Sequence, residues 1–425
     1  MLTFDLLYQT IGAAYLAVLA YPNLPPDPAL IAQLEQARPA VSGENGYAAL
    51  FDLPVNAGKD WPKDLPECRR ETADCLTLAR EHLAAWQNTT PETRTQWQQQ
   101  GDTINRLRQY DYFRPQPGQY GDNWPPFRPL VLENTLHAYR FAAGERDAAQ
   151  HGACRDAKLG LRFIQSHGLM LQSMVGIALV ERNIALLAQM RAELPPETPL
   201  PADCNALQVQ PAETLALCPL MYGEWLGGSE NTHADDAKIA ADPEASDADK
   251  SFYFILMRQT EAQWLYKNSR YCVPEILTAV AHDEVRVPEP EQRKKYCSPL
   301  NPVCKMEGPD WSNYQARLLN ANRYLRAFEL LNHPEAPLPP GYTRDSNGLT
   351  FQPASGKSGH ARANHHPAAA RQPPEPIVAR QPAPTATLFS QPEPPHATPP
   401  RPPDIPAHPG TDAWRTKRGA DHCRL

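Results

Sequence analysis

The stretch from Phe163 to Val180, FIQSHGLMLQSMVGIALV, holds no charged residue over eighteen positions. A run of this length can cross a membrane, fill the core of a helical domain or bring ligands to a metal ion. On a helical wheel its large apolar residues share one broad face, and Gln165, Gln172 and Ser173 lie opposite. A membrane span is apolar all round, so this pattern predicts a buried amphipathic helix of a soluble domain.

The same stretch offers ligands for a soft metal ion. His167, Met170 and Met174 follow one another at i, i+3 and i+7, so one imidazole and two thioethers would share a face of a continuous helix. Thioether ligands favour ions such as Cu(I), although methionine on such a face is more often packing material. The sequence therefore predicts a core helix with no metal and no cofactor, and these three residues stay candidates for a metal site.

Helical periodicity extends over most of the chain between residues 22 and 337. Alternation with a period of two residues never lasts beyond a few positions, and no Gly-rich turn joins a strand to a helix. The acidic segment at residues 233–250, rich in small side chains, is predicted to be an exposed loop. The sequence therefore predicts an all-α fold, an irregular multi-helix body at residues 22–337.

Prolines set the C-terminal part of the chain apart from this body. The chain has 47 prolines, and 20 of them lie in the 92 positions that begin at Pro334. Such a segment cannot bury enough apolar surface to offset the entropy of ordering it. Residues 338–425 are therefore predicted to form a disordered, proline-rich tail with a bias toward extended polyproline II backbone.

The N-terminus suggests export. Residues 1–21 are apolar, lack Lys and Arg, and place Val18 and Ala20 where a signal peptidase would read small residues. A signal peptide, an uncleaved membrane anchor, a misplaced start codon and an ordinary first helix all fit this segment. We treat residues 1–21 as a signal or anchor helix that can attach the protein to a membrane.

Net charge argues against a nucleic-acid partner. The whole chain carries −7, and the part from Phe351 onward carries +4, which leaves −11 on the body. Nucleic acids attract basic surfaces, so the sequence predicts no nucleic-acid binding.

Nine cysteines are many for a reducing compartment, and several lie close together in sequence. The predicted disulfide candidates are Cys68 with Cys75, Cys204 with Cys218, and Cys297 with either Cys304 or Cys272. Cys68 and Cys75 would lie about 10 Å apart on one helix, too far for a bond, so this pair requires Cys68 to precede the helix. We expect at least one disulfide and an oxidising compartment, with buried free thiols as the alternative.

Motifs of known enzyme classes are missing: there is no GxSxG elbow, Walker A loop, GxGxxG, HExxH or CxxC. Glu133 and His137, four residues apart on a predicted helix, form a candidate acid–base pair, although a surface hydrogen bond is the more usual explanation of this spacing. The run His282–Asp283–Glu284 has catalytic residue types, but neighbours in sequence point in different directions and indicate a solvated charge cluster. The catalytic residues, if any exist, are not identified.

The chain resembles a family of uncharacterised proteobacterial envelope proteins in four stretches: ENGYAALFDLPV from Glu44, the Cys68 and Cys75 pair before a helix, ALVERNIALLAQM from Ala178, and NPVCKMEGPDWSNYQARLLNANRYLRAFELL from Asn301. Proteins of this family begin with a membrane anchor and continue as a helical periplasmic body. The resemblance covers residues 21–331, and Cys304 stands where the family would have glycine. It implies a location in the periplasm, or at the inner membrane facing the periplasm, and supplies no catalytic motif.

These patterns together predict a non-enzymatic structural or interaction protein of the bacterial envelope. Its tail would act as a spacer or dock a partner, which we expect to be another envelope protein. The alternative is an envelope hydrolase whose catalytic residues are scattered in sequence. A deep pocket with converging polar side chains would favour the hydrolase, and a shallow surface with an apolar groove would favour the interaction protein.

Overall fold

The computed structural model describes most of the body and a short part of the C-terminal region. The described residues are 25–55, 61–69, 72, 74–120, 124–195, 197–288, 296–298, 301, 311–345, 348–355 and, for the backbone alone, 376–378. The signal or anchor segment at 1–21, Cys304, and the predicted tail apart from residues 338–345, 348–355 and 376–378 lie outside these residues.

Helices form nearly all of the described body, which confirms the all-α prediction. In chain order they are α1 (Pro28–Ala37), α2 (Cys75–Glu81), α3 (Leu83–Gln87), α4 (Pro91–Leu107), α5 (Arg128–Ala142), α6 (Arg146–Gln165), α7 (Met170–Ala192), α8 (Ala212–Leu215), α9 (Cys218–Ala241), α10 (Asp247–Ser269), α11 (Pro274–Ala281) and α12 (Ser312–Asn332). Short 3-10 turns at Ala48–Asp52, Ala202–Ala206 and Arg270–Cys272 connect some of them.

Several of these helices begin at a capping residue that the sequence makes recognisable. The side chains of Asp27, Asp74, Thr90 and Ser246 each accept a hydrogen bond from a backbone N–H in the first turn of α1, α2, α4 and α10. These bonds satisfy donors that have no partner within the helix, so they fix where each helix starts.

Helix α7 lies at the centre of the fold, in contact with α2, α5, α6, α9 and α12. Its closest neighbour is α6, because two glycines allow the backbones to approach. A Cβ added to Gly160 would lie 2.6 Å from the carbonyl O of Gly176, and a Cβ added to Gly176 would lie 2.6 Å from that of Gly160. Any larger residue at either position would force the two helices apart.

The uncharged stretch Phe163–Val180 is buried as predicted, but the prediction of one continuous helix through it is wrong. Helix α6 ends at Gln165 and α7 begins at Met170. Between them the backbone of His167 takes a φ of 46°, a left-handed conformation that no α-helix contains. The i, i+3, i+7 arrangement of His167, Met170 and Met174 therefore does not exist, since His167 belongs to the turn.

Among the described residues, α7 is the one helix long and apolar enough to cross a membrane, by length and composition. Of its most apolar eighteen-residue window, 72% is buried inside the protein. Met170, Met174 and Ile177 contribute to the largest cluster of buried apolar side chains. This burial is typical of the core helix of a folded domain.

The acidic segment predicted as an exposed loop is largely helical. Helix α9 continues through it to Ala241, and α10 begins at Asp247 after the Ser246 cap. Alanine has the highest helix propensity, and Lys238 pairs with Asp235 one turn earlier at 2.8 Å. Only residues 242–246 connect the two helices, so that prediction was wrong for most of the segment.

A small sheet extends the body beyond the predicted boundary at residue 337. Strands β1 (Tyr342–Asp345) and β2 (Gly348–Phe351) pair antiparallel with Tyr342 opposite Phe351, and β3 (Pro376–Val378) pairs antiparallel with β2. Leu349 and Phe351 are buried against Ala188 of α7 and against Ala327 and Leu330 of α12. Strands of four residues are too short to show alternation, which is why the sequence did not reveal them.

Truncation after Leu338 is accordingly expected to destabilise the protein, whereas the sequence alone predicts no effect. It removes two buried side chains and exposes their partners on α7 and α12. Allowing for the entropy of ordering the strands, we expect a loss of about 2 kcal/mol in the free energy of unfolding. Urea denaturation of this variant and of one truncated after Pro382, which retains all three strands, measures the difference. Equal stability of the two would mean that the strands contribute nothing.

Two disulfides join distant parts of the chain, and their pairing differs from the prediction. Cys154 of α6 bonds Cys204, with 4.9 Å between the Cα atoms, and Cys218 at the start of α9 bonds Cys272, with 4.8 Å. The predicted pairs Cys204–Cys218 and Cys297–Cys272 are therefore wrong, because helix packing brings together residues 50 and 54 positions apart. Cys297 is also disulfide-bonded.

Candidate functional site

Five polar side chains form a buried charged cluster between α4, α5 and α6. The cluster consists of Gln100, Arg108, Glu133, His137 and Asp156. The exposed fractions of Glu133, His137 and Asp156 are 2%, 1% and 1%. Buried ionisable groups are rare unless they are paired or functional, so this cluster is the leading candidate for a site.

Helix geometry places these side chains. Glu133 and His137 lie one turn apart on the buried face of α5, as their spacing predicts. Asp156 reaches them from α6, one turn after Gly152. A Cβ on Gly152 would lie 2.3 Å from Cε1 of His137, so glycine at that position makes room for the imidazole.

Hydrogen bonds connect the members of the cluster. His137 Nε2 lies 2.7 Å from Asp156 Oδ2, and Arg108 donates from Nε to Asp156 Oδ1 at 3.2 Å and also from Nη2. Glu133 Oε1 accepts a bond of 3.0 Å from the Gln100 amide. Nδ1 of His137 has no hydrogen-bond partner among the described residues.

Electrostatic interactions keep Asp156 and Arg108 ionised. Burial alone would raise the pKa of Asp156, but the Arg108 guanidinium and His137 outweigh it and hold that pKa below its usual value. Burial likewise opposes the charge on Arg108, and Asp156 outweighs this effect and raises the pKa of the guanidinium. The two groups therefore form an ion pair at neutral pH.

The donor set could in principle hold a divalent metal ion. Ligand atoms of Glu133, His137 and Asp156 lie within 4.8 Å of one another, and one imidazole with two carboxylates suits Zn²⁺, Mn²⁺ or Fe²⁺. Both oxygens of Asp156 are already engaged, however, one by Arg108 and one by His137. A cation at Asp156 would compete with the Arg108 guanidinium for the same carboxylate, so the arrangement fits a structural ion pair better than a metal centre.

Catalysis by Glu133 and His137 would require access to a substrate. Two of the hollows on the surface of the described residues have volumes of about 380 Å³ and about 370 Å³, and none of the five cluster residues lines either of them. The cluster is enclosed by its helices, and a general acid or base must reach the proton that it moves. The arrangement therefore holds charge inside the core and has no route to substrate through either hollow.

The run His282–Asp283–Glu284 separates in space, in agreement with its interpretation as a charge cluster. His282 and Glu284 line the hollow of about 380 Å³ together with Arg286. Asp283 instead accepts a hydrogen bond of 2.8 Å from Nε of Arg323 on α12. The three side chains therefore form no common site.

The candidate metal ligands on the apolar stretch also lie in different settings. The imidazole of His167 is 2% exposed, and its Nε2 lies 3.2 Å from the carbonyl O of Thr214. Burial, together with nearby Arg114 and Arg38, lowers the pKa of His167 to about 4, against the effect of that carbonyl. Met170 and Met174 pack among the apolar side chains of the core. His167 is therefore a neutral buried imidazole at neutral pH.

Sequence reasoning found Glu133 and His137 but missed Asp156, Arg108 and Gln100. A detectable signal existed for Asp156. It lies at helical spacing within the stripe Ala149, Ala153, Leu159 and Phe163 that α6 buries, and a charge in such a stripe requires a buried partner. No comparable signal marks Arg108, because its partner is 48 residues away.

Comparison with known proteins gives no relative: no family model, no curated protein and no solved structure matches this chain.

Proposed function

We propose that this chain is a helical protein of the bacterial envelope that acts by binding another envelope protein. The observation that carries the proposal is the pair of long-range disulfides, Cys154–Cys204 and Cys218–Cys272. Stable disulfides form in oxidising compartments and are rare where glutathione keeps thiols reduced. In a bacterium, that reasoning favours the periplasm, either free or at the inner membrane facing it.

Binding is favoured over hydrolysis by the state of the buried charged cluster. Its residue types are those of an acid–base site, yet its central aspartate is held by a guanidinium and it opens into neither surface hollow. The proline-rich segment beyond residue 382 is slightly basic while the body is acidic, which suits a spacer or a docking segment. The interaction role therefore requires no catalytic group from the body.

Subcellular fractionation with thiol alkylation tests the location. We expect the full-length protein in the periplasmic or inner-membrane fraction, with Cys154, Cys204, Cys218 and Cys272 resistant to alkylation in denaturant until a reductant is added. A cytosolic protein with all of these thiols reactive would exclude the envelope assignment.

Photo-crosslinking in intact cells tests the interaction. A full-length chain and one truncated after Pro382 carry the same body, since every described residue precedes Pro382. A crosslinked envelope protein that is captured by the full chain and lost on truncation is the expected result. Identical crosslinks from both chains would place the binding site on the body and remove the docking role of the segment.

A further inference from the structure

Cys68 and Cys75 are two buried free thiols in one apolar cluster, outside the disulfides described above. Their exposed fractions are 3% and 8%, and both belong to the largest apolar cluster. The thiol of Cys68 lies 4.0 Å from the carbonyl O of Cys75. Nothing in the fold, in the buried charged cluster or in the proposed function uses this pair.

The backbone places the two sulfurs together. Helix α2 begins at Cys75, after the Asp74 cap, so Cys68 lies before the helix. The separation of about 10 Å that the two cysteines would have on one helix therefore does not apply. The condition for a bond between them is therefore met. The backbone N–H of Thr72 donates to the carbonyl O of Arg69 at 3.0 Å, and both thiols belong to the same apolar cluster.

Two neighbouring helices hold the backbones of the pair. The backbone N–H of Cys68 donates to Oγ1 of Thr135 on α5 at 3.0 Å. The backbone N–H of Cys75 donates to Oε1 of Gln189 on α7 at 3.1 Å. Since both backbones are anchored, the two thiols stay near each other within the core.

We propose that Cys68 and Cys75 are a site of oxidation, and that a disulfide oxidant converts them to an intramolecular disulfide in the folded protein. One protein thiolate attacks the oxidant RSSR, forming a mixed disulfide and releasing RS⁻, which takes up a proton. The second protein thiolate then attacks the protein sulfur of the mixed disulfide and releases the second RSH. Overall, two protein thiols are oxidised and one external disulfide is reduced to two thiols.

The surroundings predict that this oxidation is slow and speeds up with pH. Hydrogen bonding to the Cys75 thiol and burial raise the pKa of the Cys68 thiol well above its usual value. Because thiolates are the reactive species, only a small fraction of Cys68 is in the reactive form at neutral pH. In the folded protein the bond should therefore form slowly, and it closes a short loop onto the start of α2.

Peptide mapping of the purified full-length protein tests the proposal. The protein is incubated with oxidised glutathione at pH 8.5, alkylated in denaturant without reductant, and digested with trypsin. Cleavage after Lys63, Arg69, Arg70 and Arg80 gives the peptides Asp64–Arg69 and Glu71–Arg80, each with one cysteine. We expect these two peptides joined by a disulfide, and separate after reduction. Both peptides alkylated in a sample where Cys218–Cys272 is intact would overturn the proposal, as would either cysteine bonded elsewhere.

Variants that lack one of the two cysteines show whether a change in Tm comes from this disulfide or from another cysteine pair. Closing an eight-residue loop should raise the Tm of the oxidised protein by about 3–5 °C over the form reduced at this pair. Cys68→Ser and Cys75→Ser should each lose that shift while keeping Cys218–Cys272. A shift that persists in both variants would assign it to another cysteine pair. The experiment uses purified protein with a defined oxidant, so its outcome does not depend on the compartment in which the protein resides.

Discussion

Replacing Arg108 with Met is expected to lower the free energy of unfolding by about 3–5 kcal/mol, because it leaves Asp156 charged and buried without its guanidinium. The side chains of Arg108 and Asp156 are 13% and 2% exposed, so water cannot take over the lost interaction. Met keeps the length and apolar stem of the arginine. Urea denaturation at pH 7 of the wild type and of Arg108→Met measures the effect.

A second variant and a surface control separate the charge effect from packing. In an Asp156→Asn background the buried charge is gone, so Arg108→Met should cost at least 1 kcal/mol less than in the wild type, roughly the coupling seen for contacting pairs. Arg80→Met removes an ion pair with Glu193 whose side chains are 44% and 28% exposed, and it should cost no more than about 1 kcal/mol. If Arg108→Met costs no more than Arg80→Met, the cluster does not depend on its ion pair.

The stability of the protein is expected to fall by about 3 kcal/mol between pH 6.5 and pH 4 through His167 alone. The pKa of this imidazole is about 4 in the folded protein, chiefly because of burial, and near 6.5 when unfolded. Between these values the unfolded chain binds the additional proton, so the contribution is fully present above pH 6.5 and is lost as the pH falls toward 4. Chemical denaturation at several pH values, compared with His167→Asn, isolates this contribution.

Asparagine suits position 167 because it tolerates the left-handed φ of 46° and keeps an N–H group for the Thr214 carbonyl. His333→Asn controls for removing an imidazole at an exposed position, since the side chain of His333 is 63% exposed. Below pH 6.5, the free energy of unfolding of the wild type should fall more steeply with decreasing pH than that of His167→Asn. Parallel curves over this range would show that His167 binds its proton equally well in the folded and unfolded states.

Local patterns in the sequence were enough to predict most helices and one part of the site. Apolar residues at helical spacing and capping residues such as Asp74 and Thr90 act within a few positions. Glu133 and His137 could be paired for the same reason, since four residues make one turn of α5. The break at residues 166–169 was missed, because a glycine at position 168 inside an apolar run is compatible with either a helix or a turn.

Residue patterns along the chain were sufficient to predict the helical class, the burial of the stretch from Phe163 to Val180 and the need for a partner wherever a charge or a cysteine falls on a buried face. Which partners meet depends on how the helices pack. The packing of helices against α6 brings Arg108 to Asp156, 48 residues away. It also brings Cys154 to Cys204, 50 residues away. Helical periodicity is a property of a few neighbouring residues, whereas packing depends on side-chain shape along whole helices, such as the contact of Gly160 with Gly176.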